Sequence, residues 1–331
     1  MRKLIIFIVV AALLYAGYWF IGRNQVETRL TDMLRQIDGG SYALSYDSLN
    51  TVGFPSRFDT TITALEFEDR ATAIRWTAPF LQIFALAYRP NEVIAVFPPE
   101  QQFRVNGLTY NLLTDDMRAS GKVGANTSLD FRTATVTMDN PRLSYGGGPE
   151  LAMASVLAAL RLAPETANVY DVYLEASSIV LPEGTRRFID PGNLHPSVID
   201  TLRLDSRATL SETLALNAAT DAPPELERLA VTEFAFVWGE MSLTAIGEIA
   251  PDDQGRLNGS VTLTGKNWMQ AIDLGVANGM IEDSKRFLWT EIARNLDETP
   301  DFPDTLTMTL TITDGMMMLG TFPLGPAPIL R

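Results

Sequence analysis

The N-terminal segment places the strongest constraint on this chain. Leu4 to Ile21 is a run of eighteen residues without a charge, and Arg2 and Lys3 precede it. As a helix this run would be about 27 Å long, close to the roughly 30 Å hydrocarbon core of a bilayer. Aromatic residues gather at its C-terminal end, where a membrane interface would lie, and Arg23 follows. The segment therefore predicts a transmembrane anchor at 1–23.

The alternative to an anchor is a secretory signal peptide that is removed. Such a peptide ends in small residues arranged as A-x-A, whereas Ala16 and Gly17 have bulky residues two places before them. The basic residues before the run favour an N-terminus in the cytoplasm and export of the rest of the chain. We therefore expect a single-pass protein of the bacterial inner membrane that contacts the bilayer through residues 4–21, with 24–331 as a β-rich domain in the periplasm.

Composition excludes several classes of function. The chain has no cysteine and one histidine, His195, so Cys/His zinc sites, redox pairs and cysteine nucleophiles are ruled out. A formal charge of −14 opposes binding of the bulk of the surface to nucleic acid and to anionic lipid. His195 lies in a turn bounded by prolines, no G-x-S-x-G motif accompanies it, and the acidic residues between 297 and 304 match no calcium loop. We therefore expect neither an enzyme nor a cofactor or metal site.

Most of the remaining chain has the pattern of β-strands, because β-branched and aromatic residues alternate with polar ones between turn residues. Residues 241–263 form a predicted hairpin around a Pro-Asp-Asp-Gln-Gly turn, and 305–319 form another around Asp314-Gly315. An Asp-Gly pair favours a type I′ turn, which would pair Thr313 with Met316.

Apolar residues recur at helical spacing in two parts of the chain. Residues 27–37 form a predicted amphipathic helix that leads from the anchor into the domain and ends at Asp38-Gly39-Gly40. Segments 267–279 and 282–296 form a predicted helical pair. The predicted fold class is therefore mainly β (α+β): long curved antiparallel sheets with an N-terminal transmembrane helix, a following amphipathic helix and a helical pair near the C-terminus.

An internal similarity bears on the organisation of the domain. Residues 155–174 resemble the strand, turn and strand of 76–96, so Ser155 to Ala163 is assigned to a strand although its alanines favour a helix. The turn cluster at 146–149 then divides the domain into two similar halves.

Three short motifs resemble those of a known bacterial family. They are Gly53-Phe54-Pro55-Ser56-Arg57-Phe58, Trp76-Thr77-Ala78-Pro79, and the closing segment from Asp314-Gly315 through Gly320 to Pro323-Leu324-Gly325. With them the chain resembles the domain-of-unknown-function 2125 family over nearly its whole length. The resemblance implies a location in the cell envelope and a β-rich body, and it carries no catalytic role.

The segment from Phe80 to Tyr88 is apolar on both faces of its predicted strand. Both faces need cover, which either a packed protein core or the acyl chain of a lipid could supply. A lipid groove here would use five residues as ligand contacts: Phe80, Ile83, Phe84, Leu86 and Tyr88. The leading prediction is thus binding or transfer of a lipid or other hydrophobic ligand in a β-groove. The alternative is a non-enzymatic scaffold that docks another envelope protein through its acidic surface.

Overall fold

The computed structural model describes residues 2–38, 42–126, 128–215 and 224–329. The chain forms two compact units. Unit 1 comprises Met1–Ala125 and Ala134–Gly148, and unit 2 comprises Asn126–Thr133 and Pro149–Arg331. The similarity of two halves stays a prediction.

A single helix, α1 (Arg2–Ile37), contains both the apolar run and the predicted amphipathic segment. Its apolar window has a mean hydropathy of 2.5, and the helix is long and apolar enough to cross a membrane. The periodicity of 27–37 predicts a separate helix, but residues 22–26 continue the helix without a break. The helix ends at Ile37, and Gly39 and Gly40, the predicted stop, lie outside the described residues.

The strands of unit 1 pair antiparallel. β3 is the hub of one group, since it pairs with β1, β2 and β4, and β4 in turn pairs with β5 and β6. Further pairs join β5 to β8, β6 to β7 and β7 to β10. The strands are β1 (Tyr42–Ser45), β2 (Ser48–Val52), β3 (Arg57–Asp69), β4 (Ile74–Leu86), β5 (Arg89–Val96), β6 (Glu100–Val105), β7 (Leu108–Leu113), β8 (Asp116–Val123), the greater part of β9 (Phe131–Asp139), and β10 (Arg142–Tyr145).

One face of β3 carries the core of unit 1. Phe58, Thr60 and Ile62 alternate along this face and are almost fully buried. The Thr60 and Thr51 hydroxyls share a hydrogen bond of 2.9 Å, which satisfies both polar groups inside the core. The face is buried because α1 packs against β1, β2 and β3.

Unit 2 is an antiparallel meander in which consecutive strands from β12 to β20 are neighbours. A register shift between Asp205 and Ser206 marks a bulge, a feature that bends long strands. The elements are β11 (Glu150–Ala152), β12 (Ser155–Leu162), β13 (Val169–Val180), α2 (Glu183–Ile189), β14 (Val198–Leu210), β15 (Leu226–Trp238), β16 (Met241–Pro251), β17 (Leu257–Lys266), α3 (Met269–Ala277), α4 (Arg286–Leu296), β18 (Thr305–Thr313), β19 (Met316–Leu319) and β20 (Phe322–Pro326).

Unit 2 confirms the main local predictions. Asp314 and Gly315 have φ angles of 51° and 74°, as a type I′ turn requires, and Thr313 pairs with Met316. The hairpin predicted at 241–263 is β16 and β17, and the alanine-containing segment is the strand β12. The helical pair is also present as α3 and α4. The predicted fold class, mainly β with an N-terminal apolar helix, is confirmed.

Candidate functional site

The floor of an apolar cavity in unit 2 lies on three neighbouring strands. Leu243 of β16, Gly265 of β17 and Leu306 of β18 are paired in one rung, and Leu263 and Met308 occupy the next rung on the same face. Gly265 has no side chain, so the rung has a gap between two leucines. A Cβ atom at Gly265 would lie 3.5 Å from Cβ of Trp268, an ordinary contact, so backbone crowding does not explain this glycine.

The roof of the cavity is formed by α3, α4 and the residues next to them. Four side chains at helical spacing on α4 line it: Trp289, Ile292, Ala293 and Leu296. Trp268, directly before α3, is 7% exposed, and its indole N–H donates to the Pro303 carbonyl at 3.3 Å. No residue of α4 itself is buried. The roof is therefore anchored at Trp268 and only lightly packed along α4.

The cavity has a volume of about 440 Å³, within the range of roughly 300 to 1,000 Å³ typical of ligand sites. Among its described lining residues, the nitrogen and oxygen atoms of side chains belong to one serine and two tryptophans. The lining comprises Phe236, Met241, Ser242, Leu243, Leu263, Gly265, Trp268, Ala271, Ile272, Ile281, Trp289, Ile292, Ala293, Leu296, Leu306, Met308 and Leu319. Such a surface favours an apolar ligand over water.

A smaller, polar cavity of about 310 Å³ adjoins the same helices. Ile272 lines both cavities, and Asp273 of α3 and Arg286 of α4 line the polar one. The carboxylate of Asp273 accepts a hydrogen bond from the Arg286 guanidinium, which ties the start of α4 to α3. An apolar space and a polar space thus meet at one helix.

The five residues predicted as ligand contacts lie in unit 1, on β4 and in the turn that follows it, and Ile83 faces the side of the strand opposite to Phe80, Phe84 and Leu86. Phe80, Ile83 and Phe84 are half-buried, whereas Leu86 is 36% exposed and Tyr88 is 67% exposed. The apolar cavity of unit 2 is lined by other residues. A groove along β4 stays a prediction. The sequence analysis missed the cavity of unit 2, and the helical periodicity of 267–279 and 282–296 is the signal that could have indicated its roof.

His195 and Asp297 make structural contacts, and Nε2 of the His195 ring is buried with no hydrogen-bond partner among the described residues. His195 is 6% exposed, its ring packs on Trp238 at 4.7 Å between centroids, and its backbone N–H donates to the Asp190 carboxylate at 3.0 Å. Asp297 accepts a backbone hydrogen bond from Thr307 at 2.9 Å. Within the described parts of the chain, no group of three or more metal-ligating side chains was found.

A second cluster of interest joins α1 to the body of unit 1. Trp19 is 3% exposed, and its ring stacks on Phe58 at 5.9 Å between centroids. Its indole N–H donates to the Arg57 carbonyl at 2.8 Å, and the neighbouring Tyr18 hydroxyl donates to the Ala87 carbonyl at 2.8 Å. The apolar run therefore enters the protein core before it ends.

The contact continues along the helix. A Cβ atom at Gly22 would lie 2.8 Å from the ring of Phe58, so this glycine permits the close approach of the helix. One turn further, the carboxylate of Glu27 accepts a hydrogen bond of 2.8 Å from the backbone N–H of Thr51. The motif at 53–58 thus forms part of the docking site for α1.

These features define a class of protein: a β-rich body joined to one N-terminal helix that is long and apolar enough for single-pass anchoring. Within that class, the chain belongs to the bacterial family described as "uncharacterized protein conserved in bacteria" (DUF2125), whose model matches residues 19–328. No curated protein and no solved structure matches the chain. The family match begins at Trp19, the residue that joins α1 to the core.

Proposed function

We propose that this protein is anchored in the bacterial inner membrane by α1, with residues 24–331 in the periplasm, and that it binds the acyl chain of a lipid or fatty acid. The binding site is the apolar cavity between the helical pair and the sheet of unit 2. The observation that carries this proposal is a cavity of about 440 Å³ with an almost wholly apolar lining.

The size of the cavity supports an apolar ligand larger than a single ring. Engineered cavities of about 150 Å³ lined by Leu, Ile and Phe already bind benzene. This cavity is about three times as large and shares the lining residue Ile272 with the polar cavity at Asp273 and Arg286. An amphiphile matches that arrangement, because its chain would contact the apolar lining while its polar end reached the polar cavity.

The test uses the full chain in lipid nanodiscs and a fatty acid that carries a diazirine, which attaches to nearby protein on illumination. Mass spectrometry of peptides locates the attachment. We expect adducts on peptides that contain α3, α4 and the floor strands. Ala293→Phe places a ring inside the cavity, so these adducts should fall to background. Ala277→Phe makes the same change at an exposed position of α3 that does not line the cavity, and should leave them unchanged.

Adducts confined to α1, or equal losses in both variants, would refute binding in the cavity. The scaffold function would then be favoured if crosslinking in intact cells gave a reproducible adduct with another protein. Because diazirine adducts are mapped peptide by peptide, partition of the probe into the nanodisc lipid does not obscure the result.

A further inference from the structure

The docking of α1 fixes where the membrane must lie relative to unit 1. The helix is continuous from Arg2 to Ile37, and it is bound to the sheet from Tyr18 onward. The residues of the apolar run that precede this contact, 4–17, would span only about 21 Å as a helix. This is shorter than the roughly 30 Å hydrocarbon core, and the run approaches that length only when it is extended to Ile21.

The edge of the hydrocarbon core therefore lies at residues 18–21 of α1, which contact the sheet. No free stretch of helix separates the membrane from unit 1. The parts of the sheet that contact Tyr18 and Trp19 must then lie at the same depth. They are the turn between β2 and β3, which contains Phe54, and the turn between β4 and β5, which contains Tyr88.

Both turns expose aromatic side chains. Phe54 is 53% exposed and stacks on the exposed Phe20 of α1 at 6.0 Å between centroids, and Tyr88 is 67% exposed. Tyr is enriched at membrane interfaces, and the apolar ring of Phe favours the adjoining hydrocarbon. Arg57 and Arg89 follow the two turns, and 56% and 62% of their side chains are exposed, although Arg57 pairs with Asp59 at 2.9 Å and Arg89 lies 3.9 Å from the Glu92 carboxylate. Guanidinium groups suit the phosphates of lipid headgroups.

We propose that this end of unit 1, formed by residues 53–57 and 87–89, is a lipid-contacting surface that lies in the headgroup region of the membrane entered by α1. The inference rests on the proposed anchoring and adds that the body is seated on the bilayer. The partner is the lipid interface itself, because the surface is continuous with the apolar face of the helix.

The chain has no cysteine, so single cysteines can be introduced without a background signal. Full-length variants Phe54→Cys, Tyr88→Cys, Leu108→Cys and Leu13→Cys are labelled with the environment-sensitive dye NBD. Each is reconstituted into vesicles of phosphatidylethanolamine and phosphatidylglycerol, with and without a lipid that carries a doxyl quencher. The quencher is near the headgroup for positions 54, 88 and 108, and near the end of the acyl chain for position 13, which lies at the middle of the apolar run. Leu108 is the matched control, because it is 42% exposed and lies beyond the opposite end of β4. That end of β4 is about 40 Å along the strand from the end that adjoins Tyr88.

We expect a blue-shifted emission and a loss of fluorescence to the quencher at 54 and 88, and neither change at 108. Position 13 reports on the anchor itself. Quenching at 13 together with an unquenched, water-like emission at both 54 and 88 would refute contact of this surface with the membrane. The anchoring by α1 would then still stand. Absence of quenching at 13 would overturn the anchoring, and this inference with it. A blue shift at 54 and 88 without quenching would show cover by protein and would also overturn the inference.

Discussion

Replacement of Trp19 with alanine tests whether the apolar run is part of the protein core. Trp19 is 3% exposed, stacks on Phe58 and donates a hydrogen bond of 2.8 Å to the Arg57 carbonyl. Truncation of a buried Trp to Ala costs about 3 to 5 kcal/mol. The helix should then separate from the sheet more often, by roughly a hundredfold to a few thousandfold.

The backbone N–H of Thr51 provides a local measurement of this separation. It donates to the Glu27 carboxylate of α1, so its hydrogen exchange is protected only while the helix is docked. We expect the exchange rate of this N–H in Trp19→Ala to rise by the same factor, roughly a hundredfold to a few thousandfold. Trp19→Phe keeps a stacked ring but loses the indole N–H, and should cost only about 1 to 2 kcal/mol.

Phe20→Ala is the control, because Phe20 is the neighbouring aromatic residue of the same helix and is 58% exposed. It should change the exchange of Thr51 far less than Trp19→Ala does. Continued protection of Thr51 in Trp19→Ala would refute the role of the indole in docking. An equal rise in exchange in both alanine variants would refute it as well, since the indole would then contribute nothing specific.

Two further predictions concern stability. Hydrogen bonds from Arg161 and then Arg207 hold the pKa of Asp171 below its usual value, so its stabilising contribution is complete above about pH 4 and is lost as pH falls through the lower folded pKa. Asp171→Asn should therefore lower the free energy of unfolding by about 1 kcal/mol at pH 7, and urea titrations should show this difference shrinking in acid. Gly247→Ala would force a Cβ atom into the backbone of β17 and lower the free energy of unfolding by about 3 kcal/mol, which thermal unfolding would measure. Gly121→Ala is the control, because its Cβ atom meets only an ordinary side-chain contact. Equal melting temperatures for the two glycine variants would contradict this expectation.

Features determined by neighbouring residues could be predicted from the sequence. The Asp314-Gly315 turn specifies its own geometry and thereby the register of β18 and β19, as the structure confirms. The helical periodicity after residue 266 likewise predicted α3 and α4. In β12, pairing with β13 outweighed the helical propensity of the alanines, and the internal similarity was the signal that revealed the strand.

Features that depend on distant residues were missed. Hydropathy describes Trp19 as one more aromatic residue near a membrane interface, because it assigns a value to each residue and takes no account of Phe58. The cavity was missed for a related reason. It requires Gly265 to lie between Leu243 and Leu306 in one rung, an alignment that only the pairing of three strands creates.

The light packing of α4 has a kinetic consequence for anything that occupies the cavity. The helix has no buried residue, and its first residue, Arg286, is tied to α3 by one ion pair with the Asp273 carboxylate. Local opening of such an element needs only a fraction of the energy of global unfolding. A ligand could therefore enter and leave on the microsecond-to-second timescale of lid movements while every strand pair of the sheet stays intact. Residence time, and not only affinity, would then depend on how often this one helix lifts.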